Sequence, residues 1–407
     1  MGCNIRLRCR IIETADYCAD TTAVIKKKLL ACIICALIAS FQKGNILRML
    51  SLLIMLFFSL FLHADPARPA SMYTNDGAIL RGSKLQNPSV IKDEKILVHG
   101  DLRYRYQHID RDSRDDDGVH RLRMRFGADA RVNDTTFVEV QFATGSSDPV
   151  STNDSLGDGF TSKQINIDIA DFFWTFDGKQ GWLRGGKFKD HYKSAHKNQM
   201  IWDDDLRPEG FDLSYTLAAS ETQLLAGIWY ASSEGSDTAV KEATGTHRAV
   251  YFYNLQLVQP IPVTEQFKLI AALAYYDCGN LADNTIPEID GKVVPKGNSV
   301  TVVGQDDTGE DVQTYQYDYR ILNAFLEAHL ERFSLSYEFA YNTAVAHENF
   351  AYNIGAFYAS KEWMKFKIGY YWRDTQKDAV VGAFNDSDFM GGGTDSRGHQ
   401  VMAGVTL

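Results

Sequence analysis

The chain has 407 residues and a formal net charge of -10, with 23% charged and 12% aromatic residues. That acidic balance argues against nucleic-acid binding, which calls for clustered basic residues on an accessible face. Beyond residue 64 no run approaches the roughly 20 apolar residues of a membrane-crossing helix, but membrane-crossing strands alternate polar with apolar residues and leave no such run.

Two apolar runs come first. Residues 29–41 follow Lys26, Lys27 and Lys28, and residues 49–62 follow Lys43 and Arg48 and end in Leu62-His63-Ala64. A short positive segment, an apolar run and a small residue before a break describe a secretory signal. The expected organisation is an upstream segment over 1–48, from a start set too early, with Met49 the true start. A cleaved signal covers 49–64. The competing reading makes both runs membrane anchors, although each is short for a bilayer. Cys3, Cys9, Cys18, Cys32 and Cys35 all precede the cleavage point, so Cys278 alone remains and no internal disulfide can form. Cys32 and Cys35 sit in an apolar run without a second ligand pair, and read as small residues of a signal-like segment. The exported chain keeps 34 basic and 49 acidic residues. Residues 65–94, with Pro66, Pro69 and Pro88, form an irregular lead-in.

From residue 97 the side chains switch sides at every position. Val98, Leu102, Tyr104 and Tyr106 alternate with His99, Asp101, Arg103, Arg105 and Gln107. Leu122, Met124, Phe126, Ala128 and Ala130 then alternate with Arg121, Arg123, Arg125, Asp129 and Arg131. Asn133-Asp134 turns the chain, and Val138, Val140 and Phe142 alternate with Glu139 and Gln141. Each strand so formed has one apolar and one charged face. A face this dense in arginine, backed by one rich in aromatics, suits a barrel with lipid outside and a wet lumen.

Fourteen strands are expected, at 95–109, 119–132, 135–145, 163–176, 181–190, 209–218, 222–232, 246–260, 266–277, 315–330, 332–345, 350–360, 363–374 and 398–407. Their connections alternate between short (133–134, 177–180, 219–221, 261–265, 331, 361–362) and long (110–118, 146–162, 191–208, 233–245, 278–314, 375–397). The connection at 346–349 is the weakest of the long set. Outer-membrane barrels have short periplasmic turns and long external loops. Aromatics recur near strand ends (Trp174, Trp182, Trp229, Tyr275, Trp363, Trp372), as interfacial girdles require. The expected fold is therefore all-β: a single transmembrane antiparallel up-and-down β-barrel over 95–407, with fourteen strands. A soluble sandwich with Tyr and Trp in its core is the alternative, and the export signal together with the loop alternation weighs against it.

The residues also carry a resemblance. Gly100-Asp101-Leu102-Arg103-Tyr104-Arg105, Arg121-Leu122-Arg123-Met124-Arg125, Asp148-Pro149-Val150-Ser151-Thr152-Asn153, Gly185-Gly186-Lys187-Phe188, Trp202-Asp203-Asp204-Asp205 and Pro208-Glu209-Gly210 occur in this order. With Ser387-Asp388-Phe389, Gly391-Gly392-Gly393-Thr394-Asp395 and Gly398-His399, they resemble the putative porin family of Gram-negative outer membranes. The resemblance implies an outer-membrane channel for small hydrophilic solutes, surrounded by lipid and lipopolysaccharide, inserted by the barrel-assembly machinery and trimeric by analogy. Relatives continue past the Gly-His segment with another hairpin and end on an aromatic residue. This chain stops at Val405-Thr406-Leu407, so it reads as fourteen strands or as a truncated sixteen-stranded barrel.

A pore selects by diameter and by lining charge. Arg103, Arg105, Arg121, Arg123, Arg125 and Arg131 are expected to face the lumen as a basic wall, continued by Glu139 and Gln141. Either Asp101, Asp129, Glu139 and a folded-in loop neutralise that wall, or part of it stays open to anionic solutes. The third long loop offers Asp203, Asp204, Asp205, Arg207 and Glu209 as constriction residues. Folded inward they oppose the arginines; otherwise the loop is a solvated or cation-binding acidic surface. No H-E-x-x-H, Walker loop, G-x-S-x-G or calcium-loop spacing occurs, so no enzyme, metal site or cofactor follows. The expectation is passive diffusion, with three alternatives: a channel dedicated to anionic or oligosaccharide substrates, a non-conducting structural or adhesive barrel, and a barrel enzyme.

Overall fold

The computed structural model describes residues 95–110, 117–233, 239–245, 248–284, 288–289, 292–293, 295–305, 309–360 and 365–406. The expected upstream segment, signal and lead-in lie outside the described residues, as do the 361–362 turn and most of the acidic connection at 110–118.

The strands in chain order begin with β1 (Ile96–Ile109), β2 (Asp117–Arg131), β3 (Thr136–Thr144), β4 (Asp154–Ser155) and β5 (Ile165–Phe176). Next come β6 (Gly181–Lys187), β7 (Glu209–Thr216), β8 (Gln223–Ser232), β9 (Val250–Pro262) and β10 (Phe267–Gly279), with the short helix α1 (Ala239–Thr244) before β9. One connection holds β11 (Glu288–Ile289), β12 (Lys292–Val293), β13 (Val300–Gln305) and β14 (Asp311–Tyr315). The chain closes with β15 (Tyr319–Leu330), β16 (Phe333–Asn342), β17 (Phe350–Ala359), β18 (Lys365–Thr375) and β19 (Ser396–Thr406).

Fourteen long strands follow one antiparallel path, β1-β2-β3-β5-β6-β7-β8-β9-β10-β15-β16-β17-β18-β19, and each matches an expected strand to within a few residues. The total nevertheless exceeds fourteen. The short β4 pairs with β2, while β11–β12 and β13–β14 form separate two-stranded sheets. These five strands arise in connections that the sequence presents as irregular, because a long loop folded back on itself pairs its own backbone groups. Among the described residues β1 and β19 each pair with one neighbour, so the expected ring closure is not part of the described pairing. No helix among them is long and apolar enough to cross a membrane.

The two faces of the sheet differ as the alternation demands. Val98, Leu102, Ile167, Phe211, Leu255, Leu335 and Val401 are exposed on the outer face, Val98 at 73% and Leu102 at 72%. So large an exposed apolar surface is uncommon for a protein surrounded by water. The polar alternates lie on the inner face, where the long loops pack. The short turns have local causes: the Asn133 side-chain oxygen Oδ1 accepts hydrogen bonds from the backbone N–H of Thr135 and Thr136 at 2.9 Å each, an Asx turn that reverses the chain between β2 and β3.

The core is formed between loops and sheet. Phe188, Met200, Ile201, Trp202 and Leu206 of the β6–β7 loop are buried, with Val380, Val381 and Phe384 of the β18–β19 loop. They pack on Trp229, Phe252, Tyr276 and Phe325 from the strands. Where the first of these loops leaves the sheet, Gly186 and Gly210 lie opposite each other at φ +124° and +150°. A Cβ there would come within 2.3 Å of the Ala170 carbonyl oxygen and 2.1 Å of that of Ile228, so only glycine fits.

Candidate functional site on the arginine face

Pairing of β1 with β2 sets Arg103 directly opposite Arg123 and Arg105 directly opposite Arg121. Like charges in cross-strand positions repel, so this register costs stability unless anionic groups come near. The partners arrive from connections distant in sequence. Arg125 donates to Asp205 at 2.6 Å and to the Thr152 hydroxyl at 2.8 Å. Arg123 donates to Asp101 at 2.9 Å and lies 3.9 Å from Asp205. Arg103 donates to the Asn153 side-chain oxygen at 2.5 Å, and Arg105 reaches Asp388 at 3.0 Å. The Nε atoms of Arg103, Arg105, Arg121, Arg123 and Arg125 have no hydrogen-bond partner among the described residues. Around the five guanidiniums stand the four carboxylates of Asp101, Asp168, Asp205 and Asp388, with Asp168 3.9 Å from Arg125 Nε and shared with Arg207. Arg131 stands apart near the turn, 3.8 Å from the exposed Asp134.

The β6–β7 loop folds onto the inner face and reaches strands on its far side. Lys193 N–H donates to Gln256 at 2.7 Å, Ala195 N–H to Glu338 at 2.7 Å and His196 N–H to Glu327 at 2.6 Å. Its acidic residues then take different positions. Asp205 faces the arginines. Burial by itself would raise its pKa, but Arg125, Arg207 and Arg123 outweigh burial and hold it below the ordinary carboxylate range. Asp203 is buried as a joint between loops, accepting the N–H groups of Asp205 at 2.7 Å and Ser387 at 2.8 Å. Burial pushes it up to about 7 despite those two donors. Asp204 is exposed and pairs with Lys189 at 3.0 Å. Arg207 is buried against Asp168 at 3.2 Å, and Glu209 pairs with Lys187 at 2.9 Å on the exposed start of β7. Of the five loop candidates, only Asp205 touches the arginine wall directly.

Glu139 and Gln141 are buried on the inner face, Glu139 against Arg184 at 2.7 Å and Gln141 donating to Asp168 at 2.6 Å. Asp168, Asp171 and Arg184 escape the sequence reading for a specific reason. The β3–β5 ladder shifts register between Gln141 and Phe142. A bulge there lets Asp168 and Asp171, of opposite parity, face the same way. The β18–β19 loop, expected only as a long connection, also packs inward. Its run Ala379-Val380-Val381-Gly382-Ala383-Phe384 is too apolar for a solvated loop, and that signal was present in the sequence.

A family described as Putative porin matches residues 83–300 and 309–407. No curated protein matches the chain. Similar solved structures include OprB of Pseudomonas putida at high pH, with 10% identity over 72% of this chain and 78% of that one, at a TM-score of 0.42. OmpF of Salmonella typhi in complex with daunomycin shows 11% identity, 76% and 85% coverage and a TM-score of 0.41. Wzi of Escherichia coli, described as a carbohydrate-binding β-barrel involved in capsule assembly, shows 9% identity, 76% and 66% coverage and a TM-score of 0.41.

Proposed function

The chain belongs to the Putative porin family, and from that membership we propose that it is an outer-membrane β-barrel passing small hydrophilic solutes by diffusion, with a preference for anions. The observation carrying the reading is the cross-strand pairing of Arg103 with Arg123 and of Arg105 with Arg121 on the inner face. A register that sets like charges opposite each other is poor structural design in a dry core and useful design along a wet path for anions. Asp205 and Asp388, carried in on separate loops, oppose the wall and leave an excess of guanidiniums. The reading includes lipid against the exposed outer face, export directed by residues 49–64, insertion by the barrel-assembly machinery, contact with lipopolysaccharide and a homotrimeric assembly. It assigns the protein no catalytic step.

The test is single-channel recording of the exported chain in a planar bilayer, with reversal potentials under a salt gradient. Stepwise conductance with anion preference is expected. Arg121→Ala/Arg123→Ala/Arg125→Ala moves the reversal potential toward cations. A folded, heat-modifiable protein that carries no current would overturn the channel reading and favour a structural barrel.

A further inference from the structure

The first three strands carry a second cluster on the inner face, near the turn that ends β2. His99 of β1, Asp129 of β2 and Glu139 of β3 place one imidazole nitrogen and two carboxylate oxygens within 4.8 Å of one another. Asp129 is fully buried, and neither of its carboxylate oxygens accepts a hydrogen bond among the described residues. Glu139, 1% exposed, gives one oxygen to Arg184 at 2.7 Å, and its other oxygen has no hydrogen-bond donor among the described residues. His99 Nε2 stands 3.6 Å from Asp129. Room for the ring comes from Gly127, opposite His99 in the β1–β2 ladder, where a Cβ would sit 2.9 Å from the imidazole Cε1.

Charge makes the cluster informative. Asp171 shares the Arg184 guanidinium with Glu139, so one buried cation serves two buried carboxylates, while Asp129 stands beside the His99 imidazole. Burying ionised carboxylates without donors is costly, and such groups are matched by protons or by a cation. The imidazole beside them, and the Glu139 carboxylate held by Arg184 with one oxygen left over, are what a metal site and its supporting shell require.

We propose that His99, Asp129 and Glu139 bind one divalent transition-metal ion of the manganese or zinc type, which pins β1, β2 and β3 together at the turn end of the sheet. One imidazole nitrogen with two carboxylates suits these ions better than a softer, thiolate-seeking metal, and water completes the coordination. A second trio, His196, Glu327 and His329, is closed on itself. Both Glu327 oxygens are already engaged, one by the His196 N–H at 2.6 Å and the other by His329 Nε2 at 2.6 Å.

The experiment strips the exported chain with EDTA in detergent free of lipopolysaccharide and titrates Mn2+ under electron paramagnetic resonance. The expected result is one bound Mn2+ per chain, with a nitrogen modulation in the pulsed spectrum and displacement by Zn2+. His99→Ala should abolish the modulation, Asp129→Asn should weaken binding by about ten-fold or more, and His329→Ala should change neither. Absence of bound Mn2+ at about 1 mM, an affinity too weak to hold an ion in place, overturns the proposal. So does a modulation that survives in His99→Ala or disappears in His329→Ala. Should Asp129→Asn fail to fold, the nitrogen signal of the other two chains still decides.

Discussion

The β1–β2 hairpin and the β15–β18 wall obey the same alternation, yet their inner faces end in opposite states. On the hairpin the arginines are half-buried, cross-strand neighbours of like charge. On the wall Asn323, Glu338, Asn353 and Arg373 are all buried. Glu338 and the terminal nitrogens of Arg373 are engaged, although Asn323 Oδ1, Asn353 Oδ1 and Arg373 Nε have no hydrogen-bond partner among the described residues. Glu338 takes Ala195 N–H at 2.7 Å, Asn198 at 2.6 Å and Asn323 at 3.0 Å. Arg373 pairs with Asp386 at 2.8 Å, bonds the Asn198 carbonyl and lies 4.6 Å over the Phe389 ring. Alternation decides which way a side chain points. The loops decide whether it meets protein or water.

That contrast can be broken most severely on the wall. Arg373→Ala leaves Asp386 buried without its cation and should cost about 3–5 kcal/mol. The cost should appear as a lower midpoint of urea unfolding, followed by the heat-modifiable gel shift; an unchanged midpoint would mean the wall is as open as the hairpin. On the hairpin side, Asp205→Ala releases Arg125 and Arg123 and should move the reversal potential further toward anions, at a smaller cost in stability than Arg373→Ala because these arginines are half-buried. Movement toward cations would place the arginine face outside the conducting path.

Protons should act on the joint between the two inward loops. Asp203 rises from 3.8 to about 7 through burial, so the docked loop retains a proton that the unfolded chain has released. Its contribution to docking is therefore fully present below about pH 4 and declines as pH rises toward about 7. Protease protection of the β6–β7 loop should be greater at pH 5 than at pH 8, and Asp203→Asn should flatten the difference. The smallest change belongs to the surface pair of Glu209 with Lys187, both substantially exposed. Glu209→Ala should cost less than about 1 kcal/mol and leave conductance unaltered, because solvent already screens that pair.

Much of this was legible in the sequence because strand alternation is a local property. Arg103 and Arg105, two residues apart in one strand, must share a face whatever the rest of the chain does. The same logic recovered the fourteen long strands of the main path and the short turns such as Asn133-Asp134. It did not recover the partners of the arginines. Asn153 and Asp388 come from connections 50 and 283 residues away from theirs, and no periodicity links them.

Tertiary structure also decided the fate of each acid in Asp203-Asp204-Asp205. These three neighbours became a buried joint, an exposed surface pair and a partner of Arg125. Their chemistry is identical in sequence, and only the path of the loop separates them. One bulge in β5 turned Asp168 and Asp171 to the same side, gathering carboxylates around Arg184 and Arg207 that a regular strand would have kept apart. Sequence by itself determined the faces of the strands, since backbone geometry repeats every two residues. What each face encounters depends on contacts between distant segments, and those exist only once the loops have packed.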